Sequence, residues 1–206
     1  MMCNMKDAAL KVRMEDLVHI RAGHPFRGAV EAVDAGSVAV AQMKDIQPGG
    51  GVDWASTVRT ELVGRKEPDW LREGDLLFVS RGSRYYAACV DQPPGPAVCG
   101  PHLFHLTVRD SNRLIPKFLA WVVGQGAVQR QLQQAASGSL QLSVTRQALE
   151  TLEIPLPSIK TQRVIADLVT AAVRERALLM ALIQNREQQL EALACALVSG
   201  QPINLS

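Results

Sequence analysis

The pattern of hydrophobic and polar residues divides this chain into two parts. Up to residue 157 the pattern consists of short apolar or alternating runs, which are broken repeatedly by glycine and proline. Between Ser158 and Gly200 there is no glycine or proline, and apolar residues recur at spacings of three and four. The first pattern is typical of a mixed domain of strands and helices, and the second of one long helix. The sequence therefore predicts an α+β (mixed α/β) domain over 1–157, followed by a helical segment over 158–206.

Short apolar runs in the first part predict β-strands, because turn-forming segments such as AGHP, DAGS and EGD bound them. The runs are EDLVHI, GAVEAV, SVAVAQM, DLLFVSR, YYAACV and LFHLTVR. Pro116 suits a first helical position, and the apolar spacing in KFLAWVVGQGAVQRQLQQAA predicts a helix after it despite two glycines. SGSLQLSVT predicts a polar loop, RQALETL a short helix and EIPLP a last strand.

The length of the C-terminal helix predicts that it has a partner. At 1.5 Å per residue it would be about 65 Å long, whereas a compact domain of the preceding residues would be about 40 Å across. One face carries an apolar stripe that is interrupted by Arg176 and Arg186. This pattern predicts a coiled-coil seam for dimerisation, although a kinked helix that folds back on itself is an alternative. The predicted seam residues are Ile165, Val169, Ala172, Leu179, Ile183, Leu190, Leu193 and Leu197.

Composition and charge indicate an ordinary globular protein. Of the 206 residues 47% are apolar and 20% charged, and the formal net charge of +2 does not by itself indicate a nucleic-acid binder. The N-terminus lacks the apolar region of a signal peptide, and no apolar run approaches the roughly 20 residues that span a bilayer. The four cysteines, in a chain without an export signal, predict reduced thiols and a cytoplasmic location.

Three polar segments are candidates for contact with DNA. In SRGSRYY, a glycine turn follows an apolar strand and carries Arg81, Ser83, Arg84 and Tyr85. Guanidinium groups bind phosphate or read guanine, and tyrosines stack or form hydrogen bonds. The other candidates are Lys44, Arg59, Arg65 and Lys66 in or near a glycine-rich stretch, and Ser139 and Gln141 in the small polar loop. A structural turn with solvated side chains is the alternative for each segment.

The sequence contains one candidate cluster for a metal site and none for a catalytic site. Cys99, His102 and His105 have the spacing C-x2-H-x2-H, and Cys89 lies ten residues before Cys99. Thiolates and imidazoles bind zinc, but a strand over LFHLTVR would place residues 102 and 105 on opposite faces. No nucleophile and base can be assembled by spacing, and the Asn/Asp-Pro-Pro-aromatic motif of methyl transfer is absent. We therefore expect no metal, no cofactor and no catalytic residues.

Three segments resemble the specificity subunits of type I restriction–modification enzymes. They are GDLLFVSRGS (74–83), LIPKFLAWVV (114–123) and, most specifically, SGSLQLSVTRQALETLEIPLPSIKTQRVIADLV (137–169). The chain departs from the family at Thr161, because the family usually has Glu before the glutamine that is Gln162 here. The resemblance implies a target recognition domain over 1–157 and a spacer helix over 158–206 that pairs antiparallel with another. A full-length member has two of each, so the chain is similar to a half subunit.

The resemblance also implies the function. It predicts a non-catalytic DNA sequence-recognition subunit, a homodimer that reads a bipartite palindromic site in double-stranded DNA. The implied partners are a DNA methyltransferase subunit and, further, an endonuclease/translocase subunit, with no membrane. Two alternatives stay open, namely a small metal-dependent hydrolase with a helical oligomerisation handle, and a protein-interaction adaptor without DNA contact.

Overall fold

The computed structural model describes residues 10–47, 50–62, 67–138 and 142–199. Its strands are β1 (Leu10–Arg13), β2 (Val18–Ala22), β3 (Val38–Ala41), β4 (Val58–Thr60), β5 (Leu76–Val79), β6 (Tyr86–Cys89), β7 (Ala97–Cys99), β8 (Leu103–Val108) and β9 (Glu153–Leu156). Its α-helices are α1 (Met14–Leu17), α2 (Pro116–Val123), α3 (Gly126–Ala135), α4 (Arg146–Glu150) and α5 (Ile159–Ser199). The predicted fold class, mixed strands and helices followed by one long helix, is confirmed.

An antiparallel sheet with the strand order β2-β8-β5-β6 forms the centre of the fold. All four residues of β5 are buried, and successive side chains enter different cores. Leu76 and Phe78 pack with Phe118 and other residues of α2 and α3, whereas Leu77 packs on the second sheet. That second sheet has the order β4-β3-β7, with β3 parallel to β7, and a third pairs β1 with β9. Helices thus cover one face of the central sheet and the second sheet covers the other, so that β5 is buried on both faces.

The structure differs from the predicted elements in four places. The first half of the run EDLVHI is not a strand, because Glu15, Asp16 and Leu17 lie in α1 and β2 begins at Val18. The run GAVEAV forms no strand, and its first residue, Gly28, has a left-handed φ of 90°. Strands β1, β4 and β7 were not predicted, because runs of three or four residues give little periodic signal. The helix predicted after Pro116 is two helices, because Gln125 takes an extended conformation between α2 and α3.

Helix α5 contributes to both of the compact units into which the chain divides, Met1–Ala166 and Asp167–Ser206. Within the first unit, Gln162 and Ala166 are buried. Within the described part of the second unit, nearly all side chains are exposed. The division into domains after residue 157 stays a prediction. Among the described residues, no helix is both long and apolar enough to cross a membrane.

Candidate nucleic-acid interface

The turn between β5 and β6, residues 81–84, carries two of the predicted DNA-binding arginines, and we call it the arginine turn. Gly82 has φ +111°, a left-handed conformation that side chains with a Cβ rarely adopt. Arg84 and Ser83 are exposed and Arg81 is half-buried. Within the described part of the chain, neither guanidinium has a hydrogen bond or an ion pair. Both arginines therefore keep their N–H donors for a ligand.

Ser80 and Arg81 fix the start of the arginine turn to two other loops. The Val144 N–H donates to the Ser80 carbonyl at 2.9 Å, and Arg81 forms a β-bridge with Ser143. The Ser80 hydroxyl donates to the carbonyl of His102 at 3.0 Å. The loop before α4 and the loop between β7 and β8 thus meet the arginine turn at one end of the central sheet.

Tyr85 fixes the other end of the arginine turn and is not itself available to DNA. Its side chain is 1% exposed and lies in the core with Phe118 and Leu132. Burial raises the pKa of the Tyr85 hydroxyl. Its backbone is held by the buried side chain of Gln129, which contacts both the N–H and the carbonyl. This burial argues against the predicted contact of Tyr85 with DNA, because a stacking ring must be accessible.

The structure places the remaining described candidates, Lys44 and Arg59, at opposite ends of β3. Lys44 follows β3, and its ammonium contacts the buried carboxylate of Asp45 at 3.2 Å and the carbonyl of Ser56 at 3.1 Å. The Arg59 guanidinium donates to the carbonyls of Gly36 (2.8 Å) and Ser37, which precede β3. Both side chains therefore stabilise loops. Arg59 contacts the residues before β3 and lies away from the arginine turn.

Four further predicted contacts, Arg65, Lys66, Ser139 and Gln141, lie outside the described residues. The described neighbours of the last two, Ser137 and Ser143, exchange backbone hydrogen bonds of 3.0–3.1 Å. This pairing closes the base of the small polar loop beside Arg81.

His102, for which the sequence suggests only a possible role as a metal ligand, lies at this surface. It is exposed, it has a left-handed φ of 69°, and its carbonyl accepts the hydrogen bond from Ser80. The antiparallel register of β5 and β8, in which Val79 pairs with Leu103, places His102 beside Ser80. The sequence gives no local signal for this pairing, so that the proximity emerges only from the fold.

Comparison with known proteins identifies the family of the chain. The model of the type I restriction modification DNA specificity domain matches residues 6–192. The chain belongs to this specificity family. The resemblance seen in the sequence is thereby confirmed. No curated protein matches the chain with significance.

Solved structures of specificity subunits have the same fold. The S subunit from M. genitalium superposes with a TM-score of 0.63 at 17% identity, over 97% of this chain and 48% of that subunit. The HsdS subunit from Thermoanaerobacter tengcongensis superposes with a TM-score of 0.54 at 18% identity, over 85% of this chain and 40% of that subunit. A third chain comes from a study of complex assembly and conformational transition of the type I restriction–modification system. It superposes with a TM-score of 0.60 at 20% identity, over 93% of this chain and 45% of that chain. The chain thus spans less than half the length of each of these proteins.

The apolar stripe of the specificity-family helix α5 is exposed over its second half. Leu179, Ile183, Leu190 and Leu197 are 54–69% exposed. Val169 and Leu193 are half-buried, and Ile165 packs partly against the core of the first unit. The predicted seam is therefore free of intramolecular cover mainly from Leu179 onwards, among the residues that the structure describes.

The middle of α5 is apolar on every side. Residues 177–183 have the sequence ALLMALI, and its five large side chains, Leu178, Leu179, Met180, Leu182 and Ile183, are all more than half exposed. Successive residues of a helix are rotated by about 100°, so that the five large side chains cover about 200° of the circumference, and Ala177 and Ala181 lie on the remaining side. A helix that is apolar all round is normally buried by neighbours on several sides. We call these residues the apolar girdle.

The cysteines and histidines considered for metal binding do not form a site in the described residues. Burial, reinforced by the nearby Asp91 carboxylate, raises the pKa of the Cys89 thiol to about 12, and burial also raises that of Cys99. Both therefore stay protonated at neutral pH, whereas zinc binds thiolates. His105 instead contacts the Asp75 carboxylate at 2.8 Å, with both side chains buried. The alternative of a metal-dependent hydrolase gains no support from this geometry.

Proposed function

We propose that the chain is a non-catalytic DNA-recognition subunit of a type I restriction–modification system. It acts as a homodimer that reads a bipartite palindromic site in double-stranded DNA and docks a DNA methyltransferase. The single observation that carries DNA recognition is the arginine turn, with two guanidinium groups that have no partner among the described residues, on a loop that is fixed at both ends.

The chemistry of the arginine turn suits DNA better than a protein partner. A guanidinium offers two parallel N–H donors, which match O6 and N7 of guanine in the major groove or two oxygens of a phosphate. In the described residues, no carboxylate lies within ion-pair distance of Arg81 or Arg84. Ser83 and His102 supply further exposed polar groups at the same end of the sheet. Because the loop is fixed at both ends, it holds its few contacting side chains in accurate positions. Readout of base edges requires such accuracy.

The proposed homodimer rests on the exposed stripe of α5. Leu179, Ile183 and Leu190 follow one another at spacings of four and seven, and each is more than half exposed. Apolar positions repeating in this way bury one another between paired helices. A twofold axis through such a pair relates two identical recognition domains, so that they read the same half-site in opposite orientations. The half-site separation is then determined by the length of the helix pair.

The apolar girdle supports the proposed docking of a methyltransferase. A single antiparallel partner covers the stripe that includes Leu179 and Ile183, but leaves Leu178 and Met180 at the sides of the pair. Exposed apolar groups of this extent mark a protein interface. We infer that helices of a methyltransferase subunit cover these sides. An endonuclease/translocase subunit would be a further partner in the cytoplasmic complex, with all chemistry in the partner subunits.

A selection of double-stranded DNA by the chain with its methyltransferase tests this function. Two inverted copies of one short sequence at a fixed spacing are expected. Arg84→Ala should weaken binding by about five- to 150-fold if the side chain reads guanine. Arg72→Ala is the matched control, since Arg72 is exposed at the opposite end of β5. Selection of no sequence in the presence of the methyltransferase would favour the adaptor function and overturn the proposal.

A further inference from the structure

Gln129 on α3 holds the arginine turn through the main chain of Tyr85. The Tyr85 N–H donates to Oε1 of Gln129 at 3.3 Å, and Nε2 of Gln129 donates to the Tyr85 carbonyl at 2.6 Å. The same Nε2 donates to the carbonyl of Val123, the last residue of α2, at 2.7 Å. Gln129 is 8% exposed, so that water cannot easily replace these partners.

This arrangement completes the fixation of the arginine turn. Tyr85 directly follows Arg84 and precedes β6, which is the edge strand of the central sheet. An edge strand lacks a backbone neighbour on one side, and the carboxamide of Gln129 supplies a donor and an acceptor there as a neighbouring strand would. The other end of the turn is fixed at Ser80 by Val144 and His102. The two arginines therefore project from a loop with two fixed ends.

We propose that Gln129 is a positioning residue for DNA recognition, so that discrimination between bases depends on its carboxamide. The proposal rests on the proposed function, because it assigns the role of Gln129 through Arg81 and Arg84. Bidentate contacts with a base require placement to within about 0.5 Å, whereas a phosphate contact tolerates a mobile side chain. Loss of Gln129 should consequently reduce base discrimination more than it reduces binding to DNA of random sequence.

The chain offers a matched control two residues along the same helix. Oε1 of Gln131 accepts from the Glu153 N–H at 3.3 Å, and its Nε2 donates to the Glu153 carbonyl at 3.2 Å. This carboxamide makes the same pair of contacts, but with β9 instead of the arginine turn. Gln131→Met therefore removes the same type of hydrogen bonds, at a more exposed position, without releasing the turn. Gln129→Met conserves volume and removes the carboxamide, and Gln129→Asn keeps a carboxamide that is one methylene too short.

The experiment measures the ratio of affinities for the selected site and for the same site with one base pair changed in each half. Gln129→Met and Gln129→Asn should lower this ratio by about fivefold or more, while affinity for random DNA changes by less than about twofold. Gln131→Met should keep the ratio. The proposal would be overturned if Gln131→Met lowered the affinity ratio as much as the Gln129 variants do. An unchanged ratio in a folded Gln129 variant would also overturn it. If Gln129→Met does not fold, Gln129→Asn decides.

A second measurement does not depend on DNA. In the Gln129 variants, the amide of Tyr85 should exchange its hydrogen about tenfold faster than in the wild type, and trypsin should cleave faster after Arg81 and Arg84. Gln131→Met should change neither rate. A wild type that binds no DNA while the variants show these changes would refute the proposed function but leave Gln129 as the residue that fixes the turn. Unchanged exchange and proteolysis would refute the positioning role itself.

Discussion

The side chain of Gln162 accepts a hydrogen bond from the backbone N–H of Ile115 at 3.0 Å, although 47 residues separate them. Nε2 of Gln162 also donates to the carbonyls of Arg113 and Pro157, both at 2.9 Å. One fully buried carboxamide thus joins the first turn of α5, the entry to α2 and the exit from β9. These hydrogen bonds fix the start of the long helix within the first unit.

Replacing Gln162 by Ala should destabilise the first unit, because three main-chain groups lose their partner and a fully buried side chain leaves a cavity. We expect the free energy of unfolding to fall by about 2–4 kcal/mol, measured by urea denaturation. Gln188→Ala, on an exposed part of the same helix, should change it by less than about 0.5 kcal/mol. Equal, small effects of both substitutions would show that the buried carboxamide contributes little.

The helix start illustrates how far the sequence could be interpreted. The prolines and Ser158 predict where α5 begins, because capping signals are local. The role of Gln162 cannot be predicted in this way, since Arg113 and Ile115 are brought to it only by tertiary folding. Its presence in the family resemblance marks the position but not the contact.

The candidate site shows the same limit. The arginine turn could be located from the strand that precedes it and the glycine within it. The core position of Tyr85 could not, because an alternating pattern does not say which face is buried. Gln129 and His102 join the site through contacts across 44 and 22 residues. No spacing rule covers such separations, so these residues emerge only from the fold.

The departure at Thr161 gives a stabilising substitution. Ser158 accepts from the Thr161 N–H at 3.3 Å, and the two hydroxyls are 2.9 Å apart. Thr161 therefore occupies the third position of α5, where Glu would complete a capping box by reaching back to the N–H of Ser158. Thr161→Glu should raise the free energy of unfolding by about 0.5–1 kcal/mol. Thr161→Gln is the control for the negative charge of Glu. A loss of stability with both substitutions would contradict the capping-box geometry at Ser158.

The buried pair of Asp75 and His105 predicts sensitivity to acid. Burial alone would raise the pKa of Asp75, but hydrogen bonds from His105 and from the Arg72 N–H together lower it below its usual value. The unfolded chain therefore binds a proton at Asp75 more readily than the folded chain. The resulting stabilisation is present above about pH 4 and is lost as the pH falls through the lower, folded pKa.

Asp75→Asn should accordingly lower stability at neutral pH by about 1–3 kcal/mol and flatten its dependence on acid pH, as measured by thermal unfolding from neutral to acid. Asp69→Asn is the control, since Asp69 forms an exposed ion pair with Arg21. Identical pH profiles for wild type and Asp75→Asn would contradict the assignment.

The exposed stripe of α5 predicts the oligomeric state. Replacing both Leu179 and Ile183 by Glu should convert the proposed dimer into monomers, because four carboxylates would be buried against one another in the helix pair. Sedimentation velocity measures the result. Gln184→Glu with Gln188→Glu is the matched control, since it adds the same charges with the same spacing on another face. An unchanged oligomer in the Leu179 and Ile183 variant would show that this stripe is not the interface.

A deletion within α5 tests whether the helix sets the distance between half-sites. Removal of residues 184–190 deletes one heptad, so that Leu193 and Leu197 take over positions of the stripe after Ile183. The helix shortens by about 10 Å, and the two half-sites should approach by about three base pairs. The half-site sequence itself should not change, because the arginine turn is untouched. Selection of DNA by the deleted chain, with methyltransferase present, measures both properties.

A deletion that is not a whole heptad distinguishes a rigid spacer of paired helices from a flexible linker. Removal of only five residues, 184–188, rotates the following stripe by about 140° and moves Leu190, Leu193 and Leu197 off the seam. If helix pairing sets the spacing, this shorter deletion should weaken dimerisation and broaden the preferred spacing, although it removes less length than the heptad. A flexible tether would instead tolerate both deletions with unchanged sites. A single contiguous, asymmetric site for the wild type would contradict the twofold arrangement from which the spacing follows.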